Sequence, residues 1–212
     1  NMDAVEAFRK RALLPESPTL HGSAQNPDTY FQAREACNPY YEAFPDVVEK
    51  YMNMVNAKIG TDYKPFNYIG APDAERVIIA MGSVCETIDE TIEYLVSKGE
   101  KVGAIKVRLY RPFSAKHLLS VMPKTVKTIN VIDRTKEAGS AGEPLYLDVV
   151  AALSKSEFAG VKILNGRYGL AGKNTTPMDI IAILNNEDKY DFTVGIVDDL
   201  THKSLERGEH VD

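Results

Sequence analysis

The residues in this sequence whose types and spacing could do chemistry lie at the starts of helical patterns, and that chemistry would be the binding of a small anion. Ser83 follows Gly82 before one such pattern, where free helix amides could hold a negative group. Arg134 and Gly139 precede another pattern, in a stretch that suits phosphate but lacks the GxxxxGKS/T or GxGxxG spacing of a nucleotide loop. We therefore predict at most a weak anion site at Ser83, Arg134 and Gly139. Capping of the helix by Ser83, with Glu86 reaching back to it, explains this serine more simply and is favoured.

Two further loops carry cations. Arg108, Tyr110, Arg111 and Phe113 follow a strand pattern, and the two guanidinium groups could clamp a carboxylate or phosphate. Arginine is enriched at interfaces, so we favour these four residues as contacts with another domain or subunit. The stretch 165–173 reads NGRYGLAGK, and the conformational demands of a loop alone explain its glycines.

Neither a metal site nor a catalytic set is predicted. Cys37 and Cys85 are far apart, whereas an iron–sulfur cluster usually takes four thiolates and structural zinc usually takes close cysteine pairs. The four histidines show no HxxxH or HExxH grouping; they are His21, His117, His202 and His210. We therefore predict no catalytic, cofactor-binding or metal-binding residue.

The stretch Glu75 to Lys98 defines the element that must position these loops. An uninterrupted apolar run from Val77 to Met81 is typical of a strand buried on both faces, and Gly82 allows a sharp turn. The following residues place apolar side chains on one helical face, and Gly99 can end that helix. A strand that enters a helix in this way predicts a βαβ unit.

The rest of the chain continues this alternation. Further strands are predicted at 102–110, 128–132, 161–164 and 192–197, with helices at 114–122, 145–155 and 177–184 between them. This order predicts an α/β fold with an open, mostly parallel five-stranded sheet and helices on both faces.

Composition limits the classes of function. The chain has 212 residues, of which 44% are hydrophobic, which suits one main domain with an appended arm. A net charge of -5 without a dense basic block argues against nucleic acid as a partner. We find no apolar run long enough to cross a bilayer and no export leader, so we predict no membrane partner and a cytoplasmic location.

The first third of the sequence predicts a helical and extended arm from a preceding domain. Asn1 precedes Met2 and a charged helical pattern, which suggests a piece of a longer protein. The main helix of the arm is predicted from about Pro45 to Lys58, and the aromatic-rich stretch 61–73 predicts a linker that docks on a surface. The predicted divisions are thus 1–73 for the arm and linker, 74–200 for the α/β domain and 201–212 for a charged tail or linker.

Several long segments of this sequence resemble segments of one family, and they occur in the same order over nearly the whole chain. They are AQNPDTYFQAREACNPYY, GAPDAERVIIAMGSVCETIDE, KVRLYRPF, DRTKEAGSAGEPLYLDV, GRYGLAGK and FTVGI. Together they resemble pyruvate:ferredoxin (flavodoxin) oxidoreductase, from the end of its first domain through its second, which is similar to the carboxy-terminal domain of transketolase.

This resemblance implies a parent enzyme that oxidatively decarboxylates pyruvate with coenzyme A, using thiamine diphosphate, magnesium and iron–sulfur clusters. It implies transfer of electrons to ferredoxin or flavodoxin, a homodimer, and a five-stranded sheet with one antiparallel edge strand. The cofactor sites of the family belong to other domains, so the resemblance implies a structural role for this segment.

Two alternatives remain open at this stage. One is a freestanding module that binds a small anion at the carboxyl ends of the strands, and the other is an interaction domain without a ligand. The intact mass of the natural polypeptide would decide between these alternatives and a domain of a larger enzyme, because the parent enzyme would be several times larger than this chain.

Overall fold

The computed structural model describes residues 1–19, 22 and 24–207, which form two compact units, 1–41 and 42–212. The predicted tail beyond residue 207, together with His21 and His210, lies outside these residues. Among the described residues, no helix combines the length and apolar character needed to cross a membrane.

The second unit is built on a six-stranded sheet. Five strands run parallel and one edge strand runs antiparallel, in the spatial order β1-β3-β2-β4-β5-β6. The strands are β1 (Phe66–Gly70), β2 (Arg76–Ala80), β3 (Val102–Val107), β4 (Thr128–Asp133), β5 (Lys162–Arg167) and β6 (Phe192–Thr193). The open, mostly parallel α/β architecture predicted from the sequence is confirmed.

The predicted number of five strands is wrong, because the residue pattern missed β1. This strand pairs antiparallel with β3 and lies within the stretch 61–73 that we interpreted as a docked linker. Phe66 and Tyr68 point to one face of the sheet and Ile69 points to the other. The alternation of side chains that is typical of a strand therefore extends over only five residues. Prolines and a glycine around this short run obscured it.

Four of the helices contribute to the two cores that cover the faces of the sheet. The helices are α1 (Met2–Arg9), α2 (Pro27–Glu35), α3 (Asn38–Ile59), α4 (Val84–Ser97), α5 (Ala115–Val121), α6 (Pro144–Leu153) and α7 (Pro177–Leu184). One core lies between the sheet and α5 and α6, and includes Val77 and Ile79 of β2. The other lies between the sheet and α4 and α7, and includes Ile78 and Ala80. Burial on both faces explains why β2 reads as a continuous apolar run.

One predicted helix start and one predicted helix cap are wrong. Helix α3 begins at Asn38 and continues through Pro45, because a proline removes one backbone hydrogen bond without necessarily ending a helix. Ser83 precedes α4 in a helical backbone conformation and its side chain makes no capping hydrogen bond, so the predicted capping box with Glu86 does not form. Ser114 caps α5, since its hydroxyl accepts from the His117 amide.

Candidate functional site

The order of the strands places a crevice between the carboxyl ends of β2 and β4. The chain leaves β2 for β3 through α4 on one face, then returns past β2 to β4 through α5 on the other. Open α/β sheets bind ligands at such a point, where the direction of the strand order reverses. The residues that follow these two strand ends include Ser83 and Arg134, which were predicted from the sequence as parts of an anion site.

Ser83 and Arg134 line the same small cleft, of about 150 Å³. The first turn of α4 forms one wall through Ser83 and Val84. Arg134 forms another and is held by a 2.8 Å hydrogen bond from its Nε to the carbonyl oxygen of Gly169. Lys173 adds a second cation from the loop after β5. Two cations and the amino end of a helix favour a negative group here.

The structure brings together only part of the predicted set. Gly139 lies in an exposed loop and does not line this cleft. Lys173 was not among the predicted residues, although the sequence GRYGLAGK carried a signal in its cations. Gly169 and Gly172 both have positive φ angles, and these conformations fold that loop toward Arg134.

A larger cleft, of about 560 Å³, adjoins the first along the carboxyl ends of β4, β5 and β6. A buried ion pair lines it, in which Arg167 donates to Glu143 Oε1 over 3.0 Å. Glu143 Oε2 also accepts from the Glu137 amide, and Arg167 donates to the Asp191 carbonyl oxygen. Asn165 joins the network by donating to the Asp191 carboxylate. Because these charges are paired and hydrogen-bonded, the network fixes the loops around the sheet edge.

Tyr168 lines both clefts and acts there as a neutral group. Burial, reinforced by the negative charge that nearby Cys85 carries once its thiol has ionised, raises the pKa of Tyr168 to about 12. Its hydroxyl donates to the Met81 carbonyl oxygen over 3.2 Å. Burial, followed by the negative charge of Asp89, raises the pKa of Cys85 to about 11. Both groups are therefore protonated at neutral pH, which suits neither a base nor a nucleophile.

Asp133 is the last residue of β4, and its carboxylate lies at the start of α6. Burial raises the pKa of Asp133, against the opposing effect of a backbone hydrogen bond from the Leu145 amide. That bond satisfies one of the free amides at the start of α6. Asp133 therefore has a structural task at the strand end.

The four predicted interface residues all make contacts within the chain. The Arg108 guanidinium lies 4.8 Å from the centre of the Tyr63 ring. Arg111 forms a 2.7 Å ion pair with Asp148 and stacks on Tyr110. Phe113 meets the Phe66 ring edge to face. These contacts hold the end of β3 in place, and a role at an interface stays a prediction.

Comparison with known proteins identifies a related family model. Residues 74–180 match the model of "Pyruvate:ferredoxin oxidoreductase core domain II". The matched residues run from the start of β2 to α7, and so include both strand ends of the small cleft.

Similar proteins share almost the full length of this chain. It is 56% identical over 214 residues to the pyruvate:ferredoxin oxidoreductase of Moorella thermoacetica, covering 99% of this chain and 18% of that protein. It is 55% identical over 207 residues to the pyruvate-flavodoxin oxidoreductase of Enterobacter agglomerans, covering 96% and 18%. A solved 2-oxoglutarate:ferredoxin oxidoreductase from Magnetococcus marinus is 19% identical, with a TM-score of 0.42 over 59% of this chain and 20% of that one. The chain thus spans about 18% of the length of the curated relatives that it matches.

Proposed function

Because the chain belongs to the pyruvate:ferredoxin oxidoreductase family, we propose that it is a structural core domain of an enzyme that oxidatively decarboxylates pyruvate to acetyl-CoA. The electrons pass to ferredoxin or flavodoxin. The observation that carries this proposal is the 56% identity over 99% of the chain to a protein with that name.

The proposal extends to the remainder of the enzyme. Thiamine diphosphate, magnesium and iron–sulfur clusters are held by other domains of the parent, and coenzyme A is its co-substrate. The parent is a homodimer in the cytoplasm. The predicted divisions are 1–73 for the end of the preceding domain with its linker, 74–200 for the core domain and 201–212 for a tail or linker. Because β1 (Phe66–Gly70) pairs with β3, we assign the chain from Phe66 onward to the core domain.

An assay of the full-length protein tests the activity. With pyruvate and coenzyme A, we expect it to reduce ferredoxin or flavodoxin under anaerobic conditions. A full-length protein that decarboxylates another 2-oxo acid but leaves pyruvate unchanged would contradict the proposed substrate.

The isolated 212-residue chain is expected to bind neither thiamine diphosphate nor an iron–sulfur cluster. The diphosphate is normally held through a divalent metal that needs several oxygen ligands, and a cluster needs about four thiolates. Cys85, one of only two cysteines, is buried with a raised pKa. Calorimetry with thiamine diphosphate and magnesium, and a visible spectrum after anaerobic reconstitution with iron and sulfide, provide the measurements. Titration with magnesium alone is the control, and stoichiometric binding of either cofactor would refute a scaffold role.

A second candidate function is the binding of a small anion in the cleft between Ser83 and Arg134. The supporting observation is that the Ser83 hydroxyl is not used in a helix cap, which removes the simpler explanation favoured from the sequence. Lys173 and the α4 amides face the same space. A freestanding module and a domain of the parent could both use such a site.

Phosphate is expected to bind weakly in this cleft and to shift the backbone amide signals of Ser83, Val84 and Gly169. Arg134→Gln should weaken binding about 10- to 150-fold, since a hydrogen bond to a charged group is worth about 1.5–3 kcal/mol. Lys127→Gln is the control, because Lys127 lies at the amino end of β4, whereas Arg134 lies at its carboxyl end beside the cleft. If the signals of these three amides stay unchanged while the signals of other amides shift, the site is excluded.

A further inference from the structure

Two acidic side chains and a histidine meet outside the clefts described above. Asp46 and Glu49 lie three residues apart on one face of α3, and His117 lies on α5. One potential ligand atom from each residue lies within 4.8 Å of the other two. All three residues belong to the unit 42–212.

The histidine provides an observation independent of the acidic pair. Its side chain is only 8% exposed, and among the described residues its Nε2 atom has no hydrogen-bond partner. Leaving such a group buried and unpaired costs free energy, so each instance calls for an explanation. The Nε2 atom faces the carboxylates, at 3.3 Å from Asp46 Oδ1 and 3.6 Å from Glu49 Oε2.

The other ring nitrogen fixes the orientation of the imidazole. His117 Nδ1 lies 2.7 Å from the hydroxyl of Ser114, the residue that caps α5. In the tautomer in which Nδ1–H donates to Ser114 Oγ, the Nε2 lone pair points toward the two carboxylates. Metal-binding histidines are commonly oriented by such a hydrogen bond from the second nitrogen.

From this geometry we propose that Asp46, Glu49 and His117 bind a divalent transition-metal ion of the zinc type. Ligand atoms at about 2.0–2.2 Å in a tetrahedral arrangement lie roughly 3.4 Å from one another. The two nitrogen–oxygen separations in this structure, 3.3 and 3.6 Å, are close to that value. Imidazole with carboxylate suits such ions, and three protein ligands leave a fourth position for water.

Lys116 competes with the metal for one ligand. Its ammonium group lies 2.8 Å from Asp46 Oδ1, and its side chain is exposed. An exposed ion pair of this kind contributes little, so the lysine can leave when a metal arrives. A bound ion would join α3 to α5 and thereby fix the helix that leads into the core domain.

Calorimetric titration of the metal-free 212-residue chain with zinc, repeated with cobalt, tests the proposal. We expect one ion per chain and a shift of the His117 Nε2 signal in nitrogen-detected imidazole spectra. Asp46→Asn and Glu49→Gln should each weaken binding by at least about tenfold, because each removes a direct ligand. Lys116→Ala should strengthen it about two- to fivefold, since it removes the competing ion pair.

Glu42→Gln is the matched control, because Glu42 is exposed on the same helix and outside the cluster. It should bind zinc like the unaltered chain, and the thermal unfolding of every variant without metal verifies folding. The proposal is overturned if the folded chain binds neither ion, or if Asp46→Asn and Glu49→Gln bind zinc unchanged. The second outcome would assign the metal to other groups, such as Cys37.

Discussion

Ile79→Ala is expected to lower the free energy of unfolding by about 2–5 kcal/mol, because it deletes buried methyl and methylene groups and leaves a cavity. Ile79 is fully buried in β2, a strand flanked by β3 and β4 and covered by helices on both faces. The surrounding strands are hydrogen-bonded to β2 and can relax only in part. Urea denaturation of the 212-residue chain measures the loss.

Ile59→Ala makes the same substitution at the end of α3, where the side chain is 65% exposed. Its effect should stay within about 0.5 kcal/mol, as for most surface substitutions. A loss at Ile79 as small as that at Ile59 would show that Ile79 is not part of the core.

Glu143→Gln is expected to lower the free energy of unfolding by about 3–5 kcal/mol, because it breaks a buried ion pair. The Glu143 and Arg167 side chains are 2% and 10% exposed. The carboxylate accepts from Arg167 through Oε1 and from the Glu137 amide through Oε2. Glutamine keeps the size of the side chain, but its amide group must then face one of these two donors.

Glu157→Gln is the matched control, since Glu157 pairs with Lys124 at the surface, where both side chains are more than half exposed. This change should cost less than about 1 kcal/mol. Denaturation of both variants in low and high salt separates the pairs further, because salt screens the exposed one. Similar losses for the two variants would mean that water reaches the Arg167–Glu143 pair.

Adding Arg167→Met to Glu143→Gln provides an internal check on the same pair. Removing the arginine relieves the uncompensated buried charge, so the double variant should lose less stability than the sum of the two single variants. Strict additivity would show that the two side chains do not interact.

The sequence determined five of the six strands of the sheet, the helices between them and the family of the chain. The run Val77 to Met81, followed by Gly82 and an amphipathic pattern, was sufficient for β2 and α4 because burial on both faces leaves a local signal. Helix α7 was predicted with both ends correct, at Pro177 and Leu184. The long sequence segments shared with the family identified it, and the match of residues 74–180 to the family model confirms this.

Only the tertiary structure decided which residues form the antiparallel edge strand and which partners the polar residues have. Strand β1 is short and is held by its ladder to β3, a pairing that its own five residues do not encode. Glu143 and Arg167 meet because the end of β5 lies beside the start of α6, whereas each alone reads as a surface charge.

The two candidate sites likewise depend on residues that only the tertiary structure brings together. Arg134 lies beside Ser83 because β4 pairs with β2, and Gly139, though near Arg134 in sequence, does not line the cleft. His117 of α5 lies 3.3 Å from Asp46 of α3, although the two residues are distant in sequence. Periodicity reports which face of an element is buried, but strand order and helix packing set which distant side chains approach one another. For this protein, the pattern of residues along the chain therefore determined the fold class, and the tertiary structure determined the sites.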